Sequence, residues 1–284
     1  MCAMKIAICN ETFGTQPFDQ AFATCRRLGY TGIEMAPFTL LPGDDPFDVR
    51  KVPASQRAEV RRQAADAGLE VVGLHWLLAK TQGIYLTSPE PAVRKETTDY
   101  LVALVEFCAD LGGNVMVLGS PQQRNLLPGV SYGEAEKYAA EIIAGAMPAC
   151  AQHSVRIALE PLAPHEGNFL NTAEQAMTLA GLVDSEHCHL HLDCKAMTSE
   201  KDSIPELIDR HQQSMIHFHA NDPNLLGPGM GDLDFLPIVE ALEKIDYQHW
   251  VSVEVFRYEP SPEEIAQVSY DHLRKIEQQL ASVA

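Results

Sequence analysis

Short apolar runs and longer amphipathic stretches alternate eight times along this chain, and that alternation restricts its fold more than any other feature. Strands are expected at Lys5–Asn10, Gly32–Ala36, Leu69–Trp76, Asn114–Gly119, Arg156–Leu162, His187–Cys194, Met215–Ala220 and Trp250–Phe256. Helical periodicity falls between them: Phe18–Leu28 stops at Gly29, Gln56–Ala67 at Gly68 and Val93–Leu111 at Gly112, each glycine a helix-terminating residue. Tyr132–His153, Thr172–Val183, Ile204–His211, Leu236–Ile245 and a last helix from Pro262 complete the series. Strand–helix alternation of this kind predicts a parallel sheet. Runs such as Val115-Met116-Val117-Leu118 have no polar alternation, as expected of strands covered on both faces. Eight such units in 284 residues predict an α/β fold, a single (β/α)8 TIM barrel forming one domain over 1–284.

The connections are unequal. Helix-to-strand turns are short and marked by glycine, whereas the segments 37–53, 77–91, 120–131, 161–171 and 221–233 that follow strands are long. Barrel enzymes place their chemistry on the loops at the carboxyl ends of the strands, so this asymmetry predicts which end is functional. Four segments end an apolar run on a metal-type ligand at that same end: Ile157-Ala158-Leu159-Glu160, Leu190-His191-Leu192-Asp193, Ile216-His217-Phe218-His219 and Val251-Ser252-Val253-Glu254. Intervals of 33, 26 and 35 residues between the four ligands each leave room for a loop, a helix and a return turn. One carboxylate at a strand end is ordinarily a cap or half of a salt bridge. Three carboxylates and an imidazole converging near a barrel axis are costly without a cation, and the set predicts a divalent metal site. Oxygen-rich donors with one imidazole suit Mn²⁺ best, with Mg²⁺, Co²⁺ and Zn²⁺ as alternatives. By strand alternation His191 and His217 are expected to face inward one layer below Asp193 and His219, and Cys194 to face the helices.

Charge and cysteine content exclude other classes. Lys and Arg number 21 against 39 Asp and Glu, a net charge of −18 that repels phosphate backbones and anionic membranes. Seven cysteines, an odd number without a Cys-x-x-Cys pair, predict reduced thiols and a cytoplasmic protein. No basic leader precedes an apolar stretch and no apolar run approaches the ~20 residues that span a bilayer, so a soluble protein is expected. The partner expected is a small molecule, without nucleic acid or membrane, and self-association into a homo-oligomer is left open.

Glu160-Pro-Leu followed by Glu166-Gly-Asn-Phe-Leu-Asn-Thr, Leu-His-Leu-Asp193, His217-Phe-His219, Pro228-Gly-Met-Gly-Asp232 and Val-Ser-Val-Glu254-Val-Phe together resemble the sugar phosphate isomerase/epimerase family of the xylose-isomerase-like TIM barrel superfamily. The resemblance covers most of the chain and is strongest from Arg156 to Tyr258. It implies that Glu160, Asp193, His219 and Glu254 bind one divalent ion, often manganese, and that Glu160 and Glu254 also move protons. Such a pair serves an enediolate route: a cation stabilises the enediolate, one carboxylate removes the proton beside the carbonyl and another acid returns it. Return to the opposite face is epimerisation, and return to the neighbouring carbon interconverts aldose and ketose. A lyase or dehydratase acting on a keto-sugar or keto-inositol would use the same site. Two positions depart from the free-ketose 3-epimerases: Ala196 stands where they carry His, and Leu225 where they carry Arg. Glu166, His75 and Lys195 are the expected substrate-binding residues. Glu34, at the end of Gly-Ile-Glu, is expected to hold a hydroxyl or a salt bridge, and Arg124, Lys195 and Arg257 supply the few cations near the predicted mouth.

Overall fold

A computed structural model describes residues 3–43 and 45–282, so Cys2 lies outside the described residues. Eight parallel strands close into a barrel in sequential order. They are β1 Lys5–Cys9, β2 Gly32–Met35, β3 Glu70–Leu74, β4 Val115–Leu118, β5 Arg156–Leu159, β6 Cys188–Asp193, β7 Met215–Ala220 and β8 Trp250–Val253. The outer layer holds α1 Phe18–Leu28, α2 Ala54–Asp66, α3 Pro91–Leu111, α4 Tyr132–His153, α5 Ala173–Val183, α7 Ile204–His211, α8 Leu236–Lys244 and α9 Pro262–Ala281, and the short α6 Cys194–Met197 lies buried at the carboxyl end of β6. The (β/α)8 architecture expected from the alternation is the observed one.

Local chemistry explains the helix ends. Gly29 and Gly112 close α1 and α3 at φ of 105° and 90°, values that a side chain strongly disfavours. Ser131 and Glu134 form a reciprocal capping box at the start of α4, and Pro91 opens α3 where its missing N–H costs nothing. Except for β7, which ends at Ala220 as expected, the expected strands run one to three residues long at their carboxyl ends, because the chain leaves the ladder as soon as it reaches the loops. Glu160 and Glu254 therefore sit just beyond β5 and β8, while Asp193 is the last residue of β6.

Register sets the site's level. Cys9 pairs with Glu34, and across β6 and β7 His191 pairs with His217 and Asp193 with His219. Val117 and Ala158, also register partners, share the inward face with Gly119 and Glu160 two residues on. The large core lies between the strands and the helix layer, from Ile6 and Ile8 on β1 through Leu101 and Leu104 on α3 to Ile265 on α9. Among the described residues no helix is long and apolar enough to cross a membrane.

Candidate metal centre and substrate cavity

At the carboxyl end of the barrel, one ligand atom each from Glu160, His191, Asp193 and His219 falls within 4.8 Å of the others. Glu254 joins the group through His219, whose Nδ1 stands 3.1 Å from Glu254 Oε2. The structure thus brings together all four residues singled out at the strand ends, and His191 stands with them, its ring 4.2 Å from that of His219 and its Nε2 3.7 Å from Glu160 Oε1. His191 and His217 pair two residues, and so one inward-facing layer, below Asp193 and His219, as alternation requires. Both nitrogens of the buried His191 lack a hydrogen-bond partner.

Each ligand is fixed differently. Asp193 caps α6, accepting the Ala196 N–H at Oδ1 over 2.7 Å, and its Oδ2 accepts from Asn221. Glu254 has both oxygens engaged: Oε2 at His219, and Oε1 accepting the Trp76 indole N–H at 2.9 Å. Glu160 owes its room to Gly119, since a Cβ there would stand 1.4 Å from Glu160 Oε2. Burial, together with the charges of Glu254 and Asp193, pushes the Glu160 carboxyl up to about 8. Burial also works against ionisation of Glu254, but the charge and hydrogen bond of His219 outweigh it and hold Glu254 below its ordinary value. Of this pair, then, Glu160 holds the proton while no cation is bound.

Above these residues opens a cavity of about 400 Å³, with Glu160, Glu166 and Glu254 on its wall beside Trp76, Leu162, Pro121 and Phe256. Trp76 and Phe256 stack with centroids 6.1 Å apart and 21° between planes. Trp76 adopts φ of 52°, the left-handed region that bulky residues avoid. At the wall, Glu166 Oε1 accepts from Lys195 Nζ at 2.7 Å, and that ammonium lies 4.9 Å from the Phe256 ring centroid. Lys195 is 5% exposed.

Several placements differ from expectation. His75 is fully buried and joined through Nε2 to Glu11 Oε2 at 2.7 Å, so its partner is a protein carboxylate. Glu34 stands beneath His219 and accepts from His217 Nε2 at 2.8 Å, with 1% exposure. Arg124 is buried: its guanidinium donates to the main-chain carbonyls of Glu160 at 2.7 Å, Leu118 at 3.3 Å and Leu170 at 3.4 Å. Arg257 is exposed. Alternation does not govern Cys194, because the strand ends at Asp193 and Cys194 is already the first residue of a helix. Glu11 escaped notice in the sequence although it follows β1 much as Glu160 follows β5; it belongs with Cys9, His75 and Glu254 to a second buried group of ligand-type atoms within 4.8 Å.

The profile of the xylose isomerase-like TIM barrel family matches residues 22–276. The chain belongs to that family. Over 258 residues it is 25% identical to a probable ketose 3-epimerase of Synechocystis sp., covering 88% of this chain and 82% of the relative. In fold it is similar to the apo 3-keto-D-glucoside 4-epimerase of E. coli, with a TM-score of 0.80, 21% identity and coverage of 97% and 100% of the two chains. It is also similar to an L-ribulose 3-epimerase structure, with a TM-score of 0.82, 20% identity and coverage of 99% and 98%.

Proposed function

We propose that this protein, a sugar isomerase or epimerase by family, is a divalent-metal-dependent enzyme that moves the proton beside the carbonyl of a small sugar or keto-sugar in the cytoplasm. The observation that carries the reading is the gathering of Glu160, Asp193 and Glu254 around His219, with Glu160 and Glu254 on the wall of a sugar-sized cavity. The nearest ammonium, Lys195, is paired with Glu166, and the Arg124 guanidinium is turned to main-chain carbonyls. Three oxygens and one imidazole fit a divalent ion of the manganese or magnesium type, manganese first, with Co²⁺ or Zn²⁺ as substitutes. The six cysteines among the described residues are free and buried, which suits a reducing compartment.

When bound, such an ion supplies the positive charge that stabilises an enediolate, which is why Glu160, Asp193, His219 and Glu254 would hold it. The chain's own residues supply the rest. Glu254, kept ionised by His219 and aimed by the Trp76 N–H, is suited to take the proton; Glu160, which favours its protonated form, is suited to return one. Glu166 on the cavity wall and Lys195 locked to it offer an acceptor and donors for sugar hydroxyls where Ala196 and Leu225 stand in place of histidine and arginine. His75, held by Glu11 and grouped with Glu254, completes the substrate-binding set one residue before the wall residue Trp76. The epimerase names of the relatives favour proton return over elimination of a hydroxyl.

Turnover of ketoses and 3-keto-glycosides in deuterated water, with and without added Mn²⁺, tests the reading. Deuterium should enter at the carbon next to the carbonyl only with metal present, and Glu160→Gln or Glu254→Gln should lower turnover at least about 10²-fold. Near-normal turnover in both variants would refute the assignment.

A further inference from the structure

Glu34 is a carboxylate with 1% exposure, next to the last residue of β2, and it reaches across the barrel to meet two histidines of β7. His217 Nε2 stands 2.8 Å from Oε2, and His219 Nε2 stands 3.2 Å from both Oε1 and Oε2. The opposite edge of the His219 ring, Nδ1, is 3.1 Å from Glu254 Oε2. One ring is therefore held between two carboxylates, one at the cavity wall and one sealed beneath it. Both ring nitrogens thus face a carboxylate, which when ionised only accepts; a cation shared with Glu254 would take the place of the proton at Nδ1, and the proton that remains is lowest in energy on Nε2 against Glu34.

From this geometry we propose that Glu34 is a positioning residue that sets the tautomer of His219, so that Nδ1 is the nitrogen presented to a divalent cation shared with Glu254. The inference rests on the metal-dependent reading above and deepens it. Histidine ligands commonly donate their second ring N–H to a carboxylate, which fixes the ring and raises its basicity. A merely structural Glu34–His217 pair would satisfy β2 and β7 without constraining His219. The bonds of His219 to both Glu34 oxygens are what a structural pair does not require. The barrel also holds a competing arrangement, since Cys9, Glu34 and His219 bring ligand-type atoms within 4.8 Å of each other; there His219 would ligate through Nε2 with Glu34 as a co-ligand.

The test uses nitrogen-15-labelled full-length protein, stripped of metal and reloaded with Zn²⁺ as a diamagnetic probe. Histidine ring correlation spectra should show His219 metallated at Nδ1 and protonated at Nε2. In Glu34→Gln the amide offers one acceptor and one donor to two histidines that each need an acceptor, so Mn²⁺ affinity, read from free-ion spin resonance, should fall about 10- to 100-fold. Glu34→Asp, which keeps the charge, should recover part of that loss. Zinc on Nε2 of the wild-type ring, or wild-type Mn²⁺ affinity in Glu34→Gln, would overturn the inference while leaving metal dependence standing. Failure of the wild-type protein to bind either ion would overturn both. Should Glu34→Gln not fold, the wild-type spectrum decides alone.

Discussion

Gly119→Ala isolates the contribution of one carboxylate's position. The added Cβ would lie 1.4 Å from Glu160 Oε2 and 2.6 Å from its carboxyl carbon, against an ordinary contact of 3.4 Å, so the oxygen must retreat by about 2.0 Å. The obstructed atoms are the end of a rotatable side chain, which makes the structural penalty that of an unfavourable rotamer, about 0.5–1.5 kcal/mol. For a domain of this size that is a fall in Tm of no more than about 5 °C. Chemistry is far less tolerant. A misplacement of ~1 Å can already cost about 10²-fold in rate, so a shift twice as large should lower kcat by at least that factor, or about 2.7 kcal/mol of barrier. The assay pairs kcat and Mn²⁺ affinity with thermal unfolding. A folded Gly119→Ala protein with kcat within threefold of wild type would show that Glu160 does not need the space that Gly119 leaves, and the role assigned to its carboxylate would fall with it.

Two further outcomes separate the ligands from their surroundings. Asp193→Asn removes an acceptor from a residue whose two oxygens already serve Ala196 and Asn221, and His219→Ala removes the nitrogen. Both should weaken Mn²⁺ binding, whereas Glu166→Gln, which loses only the Lys195 pairing and a wall acceptor, should retain metal and raise KM; equal metal loss in all three, measured by elemental analysis, would refute that division. Metal affinity should also depend on pH. Glu160, pushed up to about 8, is protonated below that pH in the metal-free protein, and a bound cation must displace the proton, so apparent Mn²⁺ affinity should rise at least about tenfold per unit from pH 6 to 8. A flat titration over that range would contradict it.

How much of this was legible in the sequence depended on the range of the interactions involved. Helices α1, α4 and α7 could be placed to the residue because their ends are marked locally, by Gly29, by the Ser131–Glu134 box and by the Ser203–Glu206 box. The four strand-end ligands were legible because apolar runs frame them and the barrel's parallel order converts such ends into neighbours. Glu11 was missed because Asn10–Phe13 forms a single 3₁₀ turn with no periodicity to frame it, although a charge directly after an apolar strand was the available signal. Arg124 read as a cation at the mouth because its actual partners are main-chain carbonyls of three separate segments, and main-chain partners leave no pattern in side-chain identity. The space beside Gly119 was equally invisible, since it depends on how β4 and β5 are set in register. The short helix α6 was hidden because its cap, Asp193, was read only as a ligand.

Trp76 has a bearing on how this protein would respond to selection for thermostability. A bulky residue at φ of 52° carries about 1–2 kcal/mol of backbone strain that glycine, and to a lesser degree asparagine, would relieve. A screen that scores only heat resistance should therefore accept small residues at position 76, and each such variant would forfeit the indole that restrains Glu254 and the ring that stacks on Phe256. Robustness and turnover pull in opposite directions at this one position, so a library built to harden the scaffold gains most when codon 76 is held fixed and diversity is placed on the helix layer.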